Sequence, residues 1–230
     1  GAVVLSREAW QLVEPFADGV DIDEQNVRLK GVHTRLRTRP LPPVSLAEGA
    51  EDALRGFVAG AILQRLKAGQ VDWLAENRRV TVLFVNLRDL NQNTADVIQR
   101  LHDVMQAMQI SLYHYEGSVR QFILDDKGTV FIAAFGVPPL THENDPLRGV
   151  NAALTIHAKL KDMGLESSIG IATGLTFCGP VGNYLRREYA MVSDIVYLSA
   201  RLMVAAQNSI LCDETTYQAT RSRITYEALV

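Results

Sequence analysis

The sequence predicts an α+β fold, a mixed and largely antiparallel sheet with helices packed on it, and three observations predict it. From Arg79 onward, β-rich apolar runs and long helical patterns follow the order β-α-β-β-α-β, with additions at the end. Two of the runs, 118–124 and 128–135, meet at Asp125-Asp126-Lys127-Gly128, a hairpin turn signal. The helical patterns carry one apolar stripe each, so each helix must bury that face against a sheet.

Taken in order, residues 2–6 read as a short strand and 7–13 as a helical turn. Residues 33–46 hold Pro40, Pro42 and Pro43 with several arginines, a stiff extended connector. Next, Leu54, Phe57, Val58, Ala61, Ile62 and Leu66 share a helix face; Gly56 and Gly60 weaken that helix, so it should dock on the domain that follows. Residues 80–87 are nearly all apolar and β-rich, a central strand. Asn93-Thr94 can cap a helix whose stripe is Val97, Ile98, Leu101, Val104, Met105 and Met108. Asp145-Pro146 opens a second helix through Val150, Ala153, Leu154, Ile156 and His157. A strand over 167–172 should end at Thr173-Gly174. The stretch 175–178, a Gly179-Pro180-Val181-Gly182 loop, a β-like stretch near 189–192, a helix over 193–206 and a strand at Ile210 complete the chain. Together they describe a ferredoxin-like layer, a scaffold that serves many functions.

A short repeat bears on organisation. Ser209–Gln218 matches Ala2–Gln11 at an offset of 207 residues, with Asp213 on Ser6, Tyr217 on Trp10 and Gln218 on Gln11. Residues 1–32 are therefore expected to be the tail of a preceding copy, 33–75 a linker with an amphipathic helix, and 76–230 the second copy, with the piece clipped at both ends. Composition narrows the setting. The 230 residues carry a net charge of -3 with 47% apolar and 21% charged, which leaves no basic footprint for nucleic acid. No apolar run approaches membrane-spanning length, and no signal-peptide pattern opens the chain. Cys178 and Cys212 offer neither a disulfide framework nor metal-ligand spacing, and the five histidines are scattered. Asp125 and Asp126 read as turn formers at a hairpin tip. An intracellular protein is the default.

Three stretches together carry a resemblance: 79–87; Asp126-Lys127-Gly128 with 131–136; and Phe177-Cys178-Gly179-Pro180-Val181-Gly182 leading through Arg187-Glu188-Tyr189 to Ala200-Arg201-Leu202-Met203. Over roughly residues 76–230 the chain resembles the class III adenylyl cyclases, most closely the soluble, bicarbonate-responsive type with tandem cyclase domains, and there the second domain rather than the first. The resemblance implies the class III cyclase fold and a head-to-tail pair with ATP in the groove between the halves. One half holds Mg2+ or Mn2+ on two aspartates; the other supplies base recognition and a transition-state Asn and Arg. Attack on phosphorus builds charge on the phosphoryl oxygens, which metals and a guanidinium fork can neutralise.

Carried onto this chain, the metal aspartates fall at Asn86 and near Thr129, neither a carboxylate, so any metal is expected on the partner domain. The base-recognition lysine falls at Gln121, with Leu124 on the same strand; the group that reads the adenine amino falls at Ala190, beside Met191. The transition-state Asn falls at Tyr197 and the Arg at Arg201, four residues apart on one helix. The resemblance thus implies the metal-free half of an adenylyl cyclase pair, with ATP and a first cyclase domain as partners. Its setting would be the cytoplasm, with cilium or flagellum as the family's associated location. Two other readings stand beside it: a degenerate cyclase domain with a regulatory or structural role, and a ferredoxin-like module with no nucleotide role.

Overall fold

The computed structural model describes residues 1–33, 42–58, 62–63, 67, 69, 75–88, 96–125, 128–183 and 186–228. The chain divides into two compact units, Gly1–Glu48 and Gly49–Val230.

In the first unit, strand β1 (Val4–Ser6) leads into helix α1 (Arg7–Val13), then a 3-10 turn (Glu14–Phe16), β2 (Ala17–Asp21) and β3 (Asn26–Val32). The three strands form an antiparallel sheet ordered β1-β3-β2. Ser6 has extended backbone and its Oγ accepts from the N–H of Ala9 at 3.2 Å, an N-cap that starts α1 where the strand ends. Asp23 closes the β2–β3 turn, accepting from the backbone N–H groups of Gln25 and Asn26.

The second unit opens with α2 (Ala50–Arg55), followed by β4 (Glu76–Leu87), α3 (Val97–His114), β5 (Ser118–Asp125), β6 (Gly128–Phe135), α4 (Asp145–Asp162), β7 (Ser167–Gly182), β8 (Arg187–Val192), α5 (Asp194–Ala205), β9 (Ile210–Cys212) and α6 (Glu214–Thr220). One six-stranded sheet runs β5-β6-β4-β7-β8, with β9 added parallel to β7 and every other pairing antiparallel. The expected α+β fold with helices packed on the sheet is the one formed.

Strand β4 sits at the centre because both its faces are apolar. Leu83, Val85 and Leu87 point with Phe131, Phe135, Ile169 and Ile171 into a core closed by Met108 and Leu112 of α3 and Val150, Ile156 and Leu160 of α4. Val80 and Val82 point the other way, with Ala134 and Cys178, towards Ile195 and Val196 of α5. Gly170 lets α5 approach: a Cβ there would lie 2.0 Å from the Ser199 carbonyl oxygen.

Several sequence expectations need correction. The Gly179-Pro180-Val181-Gly182 stretch is not a loop, and β7 does not end at Thr173-Gly174. It runs 16 residues as one strand, and its last six pair with β8. Pro180 is tolerated because β4 reaches only as far as the Glu76–Cys178 pair, so its missing N–H breaks no ladder on that side. Ile98 is 80% exposed, a quarter-turn round α3 from the buried stripe, and Leu154 lies on the outer face of α4. Helix α2 starts at Ala50 and stops at Arg55, with Gly56 at its C-cap. Ala61 and Leu66, the Asn93-Thr94 cap, the 126–127 turn and most of the Pro-rich connector lie outside the described residues.

Candidate functional site

Beside α5, a cavity of about 680 Å3 opens over the sheet, within the second unit. β5 contributes Arg120 and Gln121, β6 contributes Ile132, and β7 contributes Pro180. The edge strand β8 lines it from Arg187 to Met191, α5 adds Val196, and Phe57, Val58 and Ile62 come from the segment after α2. Val58 and Ile62 of the segment expected to dock are half-buried and face the cavity, while Phe57 is 88% exposed.

Two strand features build the polar end of this cavity. Between Val119 and Gln121 the β5–β6 register slips, Val119 facing Ala133 and Gln121 facing Ile132, so Arg120 is the extra residue of a bulge. From there Arg120 reaches β8. Its Nη2 donates to the Tyr189 carbonyl oxygen, and its Cζ lies 5.2 Å from the Tyr189 ring centroid. Burial lowers the Arg120 pKa, opposed by nearby Tyr189 and Cys178. Its Nε is buried and has no hydrogen-bond partner. Cys178 is fully buried on β7 and its thiol pKa is raised by that burial, which suits packing rather than nucleophilic chemistry.

Of the residues singled out from sequence, Gln121, Ala190 and Met191 meet in this cavity. Leu124 lies further along β5, half exposed and outside the lining. Tyr197 and Arg201 share the exposed face of α5 with Val204; Tyr197 is 70% exposed, and neither it nor Arg201 lines the cavity. Sequence reasoning missed Arg120 and Tyr189. The bulge that turns Arg120 and Gln121 to one cavity carries no signature in the sequence, because a regular strand would send neighbours to opposite faces.

The positions expected for metal-binding carboxylates lie just beyond Ile132 along the β4–β6 ladder, which pairs Phe84 with Ile132 and Asn86 with Val130. Asn86 on β4 shares a face of the sheet with its pair Val130, whereas Thr129 on β6 lies on the opposite face with its pair Leu87. The Thr129 hydroxyl oxygen is buried without a hydrogen-bond partner. A neutral amide and a neutral hydroxyl on opposite faces bring no negative charge and no shared ligand pair, so they do not fit a divalent hard cation. Among the described residues, no three His, Cys, Asp or Glu side chains gather as a metal-binding group. His142 is occupied by Asp145 at 3.2 Å and Glu116 at 3.1 Å. No helix of the described residues is long and apolar enough to cross a membrane.

No family model matches the chain. Adenylate cyclase type 10 of Oryctolagus cuniculus is 31% identical over 171 residues, which cover 73% of this chain and 11% of that protein. The chain therefore spans about a tenth of the length of such relatives. Among solved structures, the adenylyl cyclase CyaB from P. aeruginosa superposes with a TM-score of 0.60 at 21% identity, covering 66% of this chain and 84% of that one. The guanylyl cyclase Cya2 gives a TM-score of 0.53 at 26% identity, covering 63% and 79%. The chain is homologous to adenylate cyclase type 10, and its second unit has the class III nucleotide cyclase fold.

Proposed function

We propose that residues 76–230 are the metal-free half of a class III adenylyl cyclase pair. With a first cyclase domain that holds Mg2+ or Mn2+, this half helps convert ATP into cyclic AMP and pyrophosphate. One observation supports the proposal: the second unit has a cavity of a size suited to a base, while Asn86 and Thr129 are uncharged where the family resemblance puts metal carboxylates. Such a half needs a partner. Leu175, Phe177 and Val181 of β7, with Val192 of β8 and Tyr197 of α5, leave apolar surface exposed that a second domain could cover. Arg201 is an exposed residue of the same helix, and its guanidinium is the group suited to meet phosphoryl oxygens that a partner brings. Residues 1–32, within the first unit, are read as the tail of a preceding cyclase-like domain. A cytoplasmic setting follows from the substrate.

The test is cyclic AMP formation when the chain is mixed with a cyclase domain that carries both metal aspartates. Arg201→Ala should lower turnover by about a hundredfold, the scale of one lost transition-state donor. Undiminished turnover would remove this half from the chemistry.

A specific observation favours a second reading. Ala190 offers no polar side chain, and Tyr197 stands where the family Asn is expected. A degenerate half would keep the fold and the pairing surface and act as a regulatory or structural partner. It predicts that the pair forms and that Arg201→Ala leaves turnover unchanged; tight ATP binding with normal turnover would count against it.

A further inference from the structure

The cation at the polar end of the cavity is under-satisfied. Arg120 has five donors; the described residues give it one backbone carbonyl and the face of one ring, and leave its buried Nε without a partner. No carboxylate among the described residues pairs with it. Glu188, the acidic residue of the lining, is bound to Arg186. A buried donor left without a partner keeps its full desolvation penalty. Its present position over Tyr189 is thus a resting place from which a better acceptor would draw it.

The chemistry of the walls says what that acceptor belongs to. Ile132, Pro180, Met191 and Val196 make the lining apolar, and the volume of about 680 Å3 is that of a small-molecule site. A planar heterocycle with lone pairs on its edge satisfies both the walls and the cation. Gln121 beside it lies exposed on β5 and carries no charge, so it is the weaker anchor.

We propose that Arg120, rather than Gln121, reads the base of the bound nucleotide, donating to a lone-pair acceptor on the purine edge. The bulge makes this possible, since it presents two consecutive side chains to one cavity. Arg120 thereby restores the positive charge that the glutamine at position 121 lacks. This assignment rests on the cyclase-half reading and adds the residue that anchors the base.

Calorimetric titration of the chain, paired with a cyclase domain that carries both metal aspartates, with ATP, with tripolyphosphate, and with the 1-deaza, 3-deaza and 7-deaza analogues of ATP tests it. Arg120→Ala should weaken ATP at least about tenfold, the scale of one charge-assisted hydrogen bond, and leave tripolyphosphate unchanged. One deaza analogue should lose the same factor on the native chain and nothing further on the variant. If the alanine variant melts early, Arg120→Lys serves in its place, keeping the cation and removing the fork. Unchanged ATP affinity in the variant overturns the assignment while the cyclase-half reading stands. So does an analogue loss that persists undiminished, or an equal loss for tripolyphosphate, which would make Arg120 a phosphate contact. A native pair that binds no ATP overturns both.

Discussion

The strand–helix segments β1–α1 and β9–α6 are built to one local plan in different surroundings. At an offset of 207 residues, Ser6 and Asp213 both have extended backbone and both cap a seven-residue helix by accepting from the N–H three residues on, at 3.2 Å and 3.0 Å. Even the C-cap contacts correspond: Glu14 N–H donates to Trp10 and Arg221 N–H to Tyr217. Yet α1 has no buried residue, whereas α6 buries Thr216 and Thr220. Asp213 also accepts from the Thr173 N–H at 3.2 Å, and Thr216 joins Thr173 and Thr81 in a chain of hydroxyl contacts of 2.8 and 2.9 Å. The local code writes the same turn with or without a core behind it. Only in the second unit is the cap also an anchor to the sheet.

The strongest way to break the contrast is to remove the tertiary support of the second unit alone. Gly170→Ala puts a methyl against the backbone of α5 and should cost at least about 3 kcal/mol, read in denaturant melts as the loss of the second unit with the first unaltered. Asp213→Ala removes the cap and leaves buried donors unsatisfied, about 2–3 kcal/mol. Ser6→Ala removes only a cap, about 1 kcal/mol, seen as faster amide exchange in α1. Equal costs for these two changes would erase the distinction between cap and anchor.

The smallest effect is electrostatic. His157 accepts or donates a 2.8 Å hydrogen bond with Ser167, and its pKa is lowered first by burial and then by Lys161. A base whose folded pKa lies below its unfolded value takes up a proton more readily when unfolded. Stability is therefore full above the ordinary histidine value near 6.5 and falls as pH drops through the window below it. His157→Gln should flatten that part of the curve for the second unit; an unchanged slope would assign the fall to another group.

What was legible from sequence follows from how local each signal is. The double-faced apolar run of β4, the stripe of α3 and the hairpin β5–β6 are written in nearby residues, and each formed where expected except for Ile98 of the stripe. The continuation of β7 through Gly179 and Pro180 was not legible, because glycine and proline normally punctuate. What permits them is the end of β4, a strand about a hundred residues away in sequence. In the site, Gln121, Ala190 and Met191 were found through a family likeness. Arg120 was missed, because a one-residue register slip depends on the partner strand. Arg201 and Tyr197 were located on one helix face by spacing alone, and they do share the exposed face of α5.

The central claim, a half that needs a metal-bearing partner, is tested most directly by titrating this chain into a fixed amount of a cyclase domain with both metal aspartates, in Mn2+ and ATP. Cyclic AMP formation should be absent from the chain alone, rise on addition and saturate at one chain per partner. Cyclic AMP made at the same rate with and without this chain would contradict it.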